Sequence, residues 1–198
     1  MIKFGPSGNS LAFQLAGNSK SEQSPKWVKD LGLDCFEYSF GRGVNMSDEK
    51  ALSLREYFDN AGVEISVHCP YFINFAGVDE QKVENSYGYV LSSLKIGKLM
   101  GAKRAVFHPA AQGKLDRETA VNLTKERLKI LADKIRKATG EDKPLEGFKI
   151  VVDAGNGAGG FYVDKVLKPL GADTEGSRFL DPDGSFPNHI PNPEDKKA

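Results

Sequence analysis

Two histidines stand at places in the sequence where catalytic or metal-binding side chains are expected. His68 ends the stretch 63–67, in which apolar and polar residues alternate, and His108 ends the stretch 104–107. A proline follows each histidine within two positions, and because proline cannot donate to a sheet, each strand is expected to end there. The carboxyl ends of parallel strands are where α/β proteins build their sites. The pattern predicts two ligands aimed at one centre, with two unrelated loop histidines as the alternative.

The segments around these histidines alternate between strand-like and helix-like patterns. Ser24, Ser47 and Asp116 are placed as helix N-caps, and glycines follow the ends of several helical stretches. The predicted strands are 1–5, 34–40, 63–68 and 104–108, and the predicted helices are 24–32, 47–61, 79–100 and 116–138. Four consecutive βα units imply an α/β fold with a parallel sheet. They amount to half of an eight-unit TIM-like barrel, (β/α)4, or most of a doubly wound sheet.

A charged segment containing glycine and proline separates this region from the rest of the chain. We expect a half-barrel domain over residues 1–140, a junction at 141–146, and a second fragment over 147–198. The second fragment has the pattern of a Rossmann-like βαβ unit, with a strand at 147–153 and a glycine-rich turn at 154–160. Its last residues, 181–198, are rich in Pro, Asp and Asn and predict an extended tail.

The composition excludes some classes of protein. The chain has 198 residues, with 27 Lys and Arg balanced by 27 Asp and Glu, which argues against a strongly basic nucleic-acid module but leaves a local basic patch open. No apolar run approaches the ~20 residues of a membrane span, and the N-terminus lacks a signal peptide's apolar core. Cys35 and Cys69 are too few for a disulfide framework. We therefore expect a soluble, cytoplasmic protein with reduced thiols and no membrane partner.

Four motifs in the first part of the chain resemble the endonuclease IV family of AP endonucleases, which are TIM barrels of the xylose isomerase-like group. They are IKFGPSGN at 2–9, FEYSFGRGV at 36–44, ISVHCPYFIN at 65–74 and AVFHPAAQGKL at 105–115. Their order and spacing match the first half of that barrel. The family cleaves the phosphodiester bond 5′ to an abasic site in DNA with three zinc ions.

The resemblance implies roles for four residues. His68 and His108 would be zinc ligands, Tyr71 would lie beside the metal and the DNA, and Arg42 would sit in the loop that enters the DNA. The remaining ligands of the family come from later strands, and here no further histidine occurs until His189, in the tail. Since a usual catalytic zinc site has three protein ligands, the resemblance implies a partial zinc site and little or no hydrolase activity on abasic DNA.

The last part of the chain, 144–198, resembles the start of the second domain of the α-D-phosphohexomutases, the phosphomannomutase/phosphoglucomutase family. VVDAGNGAGG at 151–160 and FPNHIPNPE at 186–194 carry this resemblance. The mutases need a phosphoserine loop and a magnesium-binding run of aspartates, and neither occurs in this sequence, so mutase activity is not expected. The two resemblances together predict a chimera or a truncated fusion.

Three further groups of residues are candidates for the functional site. Gly155, Asn156 and Gly157 follow a predicted strand and precede a predicted helix, so their turn could cradle a phosphate or be purely structural. Arg42, between two glycines, could contact a phosphate or be a solvated loop residue. Asp153 ends a predicted strand and could supply a third ligand near His108.

The leading hypothesis is an incomplete endonuclease IV-like protein that retains part of a zinc-binding site at the carboxyl ends of its strands. The alternatives are a non-catalytic α/β scaffold and a phosphohexomutase-related fragment. Half a barrel would leave one sheet edge uncovered, so a homodimer through that edge is a further expectation.

Overall fold

A parallel sheet of three strands carries the first part of the chain. Strands β1 (Cys35–Ser39), β2 (Glu64–His68) and β3 (Ala105–Val106) lie in the order β1-β2-β3, and both neighbouring pairs are parallel. An isolated parallel bridge between Ser7 and Glu37 places the N-terminal segment beside β1. The α/β class and the parallel sheet predicted from the sequence are confirmed.

The computed structural model describes residues 3–140, 142–147, 149–152, 154–157, 159–185 and 187–188. Its contacts divide the chain into two units, Met1–Gly113 and Lys114–Ala198. The division falls before the last long helix, whereas the junction predicted from the sequence, 141–146, lies inside the second unit. His189, Asp153 and part of the predicted tail lie outside the described residues.

The described residues form five α-helices, two before β1 and one after each strand. They are α1 (Leu11–Leu15), α2 (Ser24–Asp30), α3 (Asp48–Ala61), α4 (Glu80–Leu99) and α5 (Arg117–Thr139). In the described part of the chain, no helix combines the length and the apolar content that crossing a bilayer requires.

The helix ends follow the capping chemistry of the sequence in most cases. The hydroxyl of Ser47 accepts the N–H of Lys50 at 3.2 Å, and α3 ends at Gly62, which has a φ of 64°. The Asp116 carboxylate caps α5 in the same way, accepting a backbone N–H at 2.9 Å. Ser24 is an exception: it is the first helical residue of α2, and its hydroxyl donates to Asn9 Oδ1 at 2.8 Å. The prediction that Ser24 is an N-cap was therefore wrong.

The core of the first unit lies between the sheet and the helices α2, α3 and α4. Phe36, Ile65 and Val67 point from the strands into this core, where they meet side chains such as Leu54 and Phe58 of α3. Since successive strand residues face opposite sides of a sheet, the alternate residues of β1 and β2 lie on the other face. That second face carries Glu37, Ser66 and His68, and it is the polar face of the sheet.

The second unit contains α5 and a short βαβ-like arrangement. Lys149 and Asp173 form an isolated parallel bridge, and a π-helical segment, Val163–Leu167, lies between them in the chain. Helix α5 joins this unit through contacts such as Lys125 Nζ over the Phe161 ring, 5.3 Å from its centroid. These contacts explain why α5 groups with the residues that follow it.

Candidate functional site

His68 is the last residue of β2, as its position before Cys69 and Pro70 predicted. Backbone hydrogen bonds fix it on both sides: the His68 carbonyl accepts the N–H of Phe40 at 2.9 Å, and the Cys69 N–H donates to Val106 O at 2.8 Å. The residue is 7 % exposed. A buried and doubly anchored backbone of this kind holds the imidazole in a defined place at the carboxyl end of the sheet.

The hydrogen bond of the His68 ring determines which nitrogen is available. His68 Nδ1 lies 2.8 Å from the Cys69 carbonyl oxygen, and a carbonyl can only accept, so Nδ1 carries the proton. In the neutral imidazole, Nε2 is then left with its lone pair. Metal-binding histidines are commonly oriented by this kind of backbone contact.

His108 lies two residues beyond β3, at the same end of the sheet. Its loop is tied to the loop after β2, because the Phe75 N–H donates to Pro109 O at 2.8 Å. Asn74 adds a second tie: its Oδ1 accepts backbone N–H groups of Ala76 at 3.0 Å and Ala111 at 3.1 Å. Asn74 is the positioning residue that sequence reasoning missed, although it closes the motif around His68.

The two imidazoles converge. Their ring centroids are 5.2 Å apart, with an angle of 44° between the ring planes. His68 is buried and His108 is exposed, so the pair is open to solvent on the His108 side. The structure therefore brings together the two histidines that the sequence pattern placed at one centre.

Tyr71 lies against both imidazoles. Its ring centroid is 5.1 Å from that of His68 and 6.3 Å from that of His108, and its plane is within 21° of the His108 ring. The Tyr71 side chain is nevertheless 65 % exposed. It covers the histidine pair without enclosing it.

Arg42 lies on the turn between β1 and α3, close to the backbone of Tyr71. The turn is closed by the Gly43 N–H, which donates to Phe40 O at 2.8 Å, and the Gly41 carbonyl accepts the Tyr71 N–H at 3.4 Å. Arg42 is exposed, and its guanidinium makes no ion pair with the residues that the structure describes. It is thus a solvent-facing cation on the turn that is hydrogen-bonded to the backbone of Tyr71.

The separation of the two imidazoles is compatible with two ligand positions of a zinc site. A tetrahedral zinc ion with nitrogen ligands at about 2.0–2.1 Å lies about 3.2 Å from each imidazole centroid, which places the two centroids about 5.2 Å apart. The observed separation is 5.2 Å. Among the described residues, no three His, Cys, Asp or Glu side chains come together as a metal-binding group, so the fit covers two ligands. Asp153, the third ligand considered from the sequence, lies outside those residues.

The thiols of the two cysteines are unsuited to binding a metal at this site. Cys69 is buried, and burial raises the pKa of its thiol. Burial likewise raises the pKa of the Cys35 thiol, with the negative charge of Glu64 adding to the effect. Protonated thiols are poor metal ligands, which agrees with the interpretation of both cysteines as structural.

In the second unit, the turn around Asn156 is held by its own hydrogen bonds. The Asn156 N–H donates to Phe179 O at 2.8 Å, and the Gly157 N–H donates to Ala154 O at 2.7 Å. Asn156 has a φ of 58°, and its side-chain amide donates to Asp181 O at 3.0 Å. The backbone N–H groups of Asn156 and Gly157 are therefore already used by carbonyl oxygens and do not point toward a phosphate. This geometry favours the structural interpretation of Gly155–Gly157 over phosphate binding.

Comparison with known proteins identifies relatives of this chain. Residues 25–162 match the family model described as xylose isomerase-like TIM barrel. An uncharacterized protein of Methanocaldococcus jannaschii is 32% identical over 108 residues, which cover 54% of this chain and 38% of that protein. A probable endonuclease 4 of Mycoplasmoides gallisepticum is 37% identical over 62 residues, which cover 31% of this chain and 20% of that protein. The chain thus spans less than half the length of these relatives.

The phosphohexomutase resemblance corresponds to short partial matches. A phosphoglucomutase of Neisseria meningitidis is 45% identical over 58 residues, which cover 29% of this chain and 12% of the mutase. The barrel family match, however, continues through the predicted junction 141–146 to residue 162. These findings do not support the expected chimera.

A structural neighbour agrees with the family model. The 3-keto-D-glucoside 4-epimerase of E. coli superposes with a TM-score of 0.61 at 15% identity, covering 87% of this chain and 66% of the epimerase. At this identity the likeness concerns the fold alone. The family match over residues 25–162, together with the parallel sheet and its βα order, shows that this chain belongs to the xylose isomerase-like TIM barrel family.

Proposed function

We propose that this chain binds a zinc ion through His68 and His108 and presents it, with Arg42 and Tyr71, to the backbone of abasic DNA. The observation that carries the proposal is the 5.2 Å separation of the imidazole centroids. The relative named probable endonuclease 4 supports the choice of DNA as the partner. The proposal concerns a partial endonuclease IV-like site with little or no cleavage of its own.

Each side chain of the site has a separate task in this proposal. His68 offers Nε2, because the Cys69 carbonyl holds Nδ1–H, and His108 offers its ring from the neighbouring loop. A bound zinc ion would supply a positive charge for the phosphoryl oxygens and lower the pKa of a bound water. Arg42 adds a guanidinium suited to two-point contact with a phosphate.

The exposed Tyr71 ring suits contact with nucleic acid. Aromatic faces stack on bases with little dependence on sequence, and a ring that is 65 % exposed is accessible to them. Tyr71 and Arg42 lie on adjacent turns, linked by the hydrogen bond between the Tyr71 N–H and Gly41 O. In this proposal, the Tyr71 ring would stack on a base next to the abasic site, and the Arg42 guanidinium would contact a backbone phosphate.

Weak cleavage follows from the donor set. Catalytic zinc sites usually have three protein ligands, and within the described residues the His, Cys, Asp and Glu side chains supply two at this place. The family chemistry implied by the resemblance needs bridging carboxylates as well. We therefore expect metal and DNA binding to survive better than hydrolysis.

Two alternatives give different results in simple tests. A scaffold without a ligand would have the same melting temperature with and without zinc, because an ion that binds only the folded state must raise its stability. A mutase fragment would interconvert hexose phosphates in a coupled assay. The hydrogen-bonded turn at Asn156 gives that second alternative no support.

Binding to DNA tests the proposal directly. Fluorescence anisotropy would compare a duplex carrying an abasic-site analogue with the intact duplex, each with and without zinc. We expect tighter binding to the abasic duplex in the presence of zinc, and at least about a fivefold loss for Arg42→Ala, since a charge-assisted phosphate contact contributes about 1 kcal/mol or more. Arg55→Ala removes the same charge from α3 and serves as the matched control.

Two outcomes would contradict the proposal. Equal affinity for the abasic and intact duplexes would remove the abasic site as the target. Equal losses for the Arg42 and Arg55 variants would mean that binding is general electrostatic attraction, which depends on total charge and salt. Cleavage of the abasic duplex that His68→Ala abolishes would overturn the expectation of low activity.

A further inference from the structure

Helix α4 carries two fully buried hydroxyl groups on one face. Ser86 and Ser93 are each 0% exposed and lie about two helical turns apart. Each hydroxyl donates to the backbone carbonyl four residues earlier, at 2.8 Å. Since a serine in a helix interior is less favourable than an alanine, we expect a buried hydroxyl there to have a use outside the helix.

Ser86 has a second hydrogen bond, which reaches the loop after β2. The Asn74 N–H donates to Ser86 Oγ at 3.1 Å. Asn74 in turn accepts, through its Oδ1, the N–H of Ala111 at 3.1 Å, in the loop that carries His108. We infer that Ser86 is a positioning residue of the histidine pair and fixes its geometry through Asn74. The inference rests on the proposed function, because it takes that pair as the site.

The two histidines depend on this network to different degrees. His68 is buried at the end of β2, where backbone hydrogen bonds hold it on both sides. His108 lies beyond the end of β3 and is exposed. Two bonds tie its loop to the loop after β2, one to Asn74 Oδ1 and one from the Phe75 N–H to Pro109 O at 2.8 Å. The 5.2 Å separation of the imidazole centroids therefore depends on the segment that α4 anchors.

Removing the Ser86 hydroxyl has a defined local consequence. In Ser86→Ala the Asn74 N–H loses its acceptor, and a part-buried donor is costly to leave unpaired. The loop can satisfy this group by moving it toward water, and that movement draws Asn74 Oδ1 away from Ala111. Alanine favours the helical conformation, so α4 itself should not be weakened.

Ser93→Ala is the matched control. It removes an equally buried hydroxyl from the same helix, together with the same kind of bond to the helix backbone. Ser93 also contacts the Cys69 thiol, and sulfur is a weak hydrogen-bond partner. This variant should therefore leave the bonds of Asn74 in place.

Amide hydrogen exchange of the metal-free protein tests the inference without any ligand. We expect the N–H groups of Phe75 and Ala111 to exchange at least about fivefold faster in Ser86→Ala, the factor that one lost hydrogen bond gives. The imidazole NMR signals of His108 should also shift, because its ring lies 6.3 Å from the Tyr71 ring, whose ring current varies with distance. Ser93→Ala should match the wild type at these positions.

Binding of the abasic-site duplex relates the inference to the proposed function. We expect Ser86→Ala to bind this duplex at least about fivefold more weakly, whereas Ser93→Ala should bind as the wild type does. Because Ser86 acts through Asn74, the double variant of Ser86→Ala and Asn74→Ala should lose little more than the more affected single variant.

The outcomes separate this inference from the proposed function. Wild-type exchange rates at Phe75 and Ala111 in Ser86→Ala, equal changes in the Ser93 control, or losses that multiply in the double variant would overturn the positioning role and leave the proposed function standing. A wild type that does not bind the abasic duplex would overturn the proposed function. The exchange comparison would still decide whether Ser86 holds the histidine pair.

Discussion

Replacing Glu64 by glutamine would remove the centre of an ion cluster at the start of β2. Glu64 Oε2 lies 2.5 Å from Lys3 Nζ, and Oε1 lies 2.5 Å from Arg104 Nη1. The Glu64 side chain is 14% exposed. The cluster ties the N-terminal segment and the residue before β3 to the middle strand, at the end of the sheet opposite His68.

The structure gives an upper limit for the cost of this change. The hydrogen bonds from Lys3 and then Arg104 lower the pKa of Glu64 from 4.5 to about 2. At 1.36 kcal/mol per pKa unit, this corresponds to at most about 3.4 kcal/mol of stability. Since Lys3 and Arg104 are 48% and 60% exposed, solvent screens the pair, and we expect Glu64→Gln to cost about 1–2 kcal/mol at pH 7.

The pH dependence has a definite sign. A carboxylate whose pKa is lower in the folded state stabilises the fold above its unfolded pKa and loses that contribution as the pH falls through the folded pKa. The difference in unfolding free energy between wild type and Glu64→Gln should have its full value above about pH 4.5. It should decrease as the pH falls toward about 2.

Urea unfolding followed by Trp27 fluorescence measures this difference. Trp27 is the single tryptophan of the sequence and lies in α2, so it reports on the first unit. Glu56→Gln, an exposed carboxylate on α3, is the matched control and should change stability by less than about 0.5 kcal/mol. A cost for Glu64→Gln equal to that of the control, or a cost that stays constant from pH 7 to pH 3, would refute the reasoning.

Three other changes test the packing around the site. Phe58→Ala should cost about 3–5 kcal/mol in urea unfolding, because the ring is 1% exposed and its centroid lies 5.7 Å from that of Phe36; a loss below about 1 kcal/mol would be inconsistent with this core. Asn74→Ala should lower zinc affinity about 10- to 100-fold by releasing the loop that carries His108, as titration would show; unchanged affinity would rule out its positioning role. Gly5→Ala should displace the N-terminal segment from β1, because an added Cβ would lie 1.6 Å from Cys35 O; unaltered amide protection there would argue against it.

Much of the first unit could be predicted because its signals are local. Ser47 and Gly62 mark the ends of α3 through their own side chain and backbone, and Pro70 fixes the end of β2 at His68. The convergence of His68 and His108 followed from a general property of parallel sheets. None of these predictions required knowledge of contacts between distant segments.

The features that could not be predicted depend on such contacts. Ser24 has the sequence context of a cap, but its hydroxyl is used by Asn9, fifteen residues earlier. Asn74 links two loops whose residues are 37 positions apart. The β3 ladder is limited to Ala105–Val106, because β2 ends at His68, which lies opposite Val106.

Composition and contacts mark different positions along the chain. Composition places a junction at 141–146, where the charged residues, Gly and Pro occur. Contacts instead group α5 with the residues after it, partly through Arg136 Nη2, which donates to Pro169 O at 3.2 Å. Local composition carries no information about which segment a helix packs against.

Zinc content of the purified protein tests the central claim most directly. The site predicts one zinc ion per chain after incubation with one equivalent of zinc and dialysis against metal-free buffer. The ion should be lost in both His68→Ala and His108→Ala. His189→Ala, which removes the third histidine of the sequence, should retain the ion. A wild type without zinc, or zinc that remains in either of the first two variants, would contradict the account.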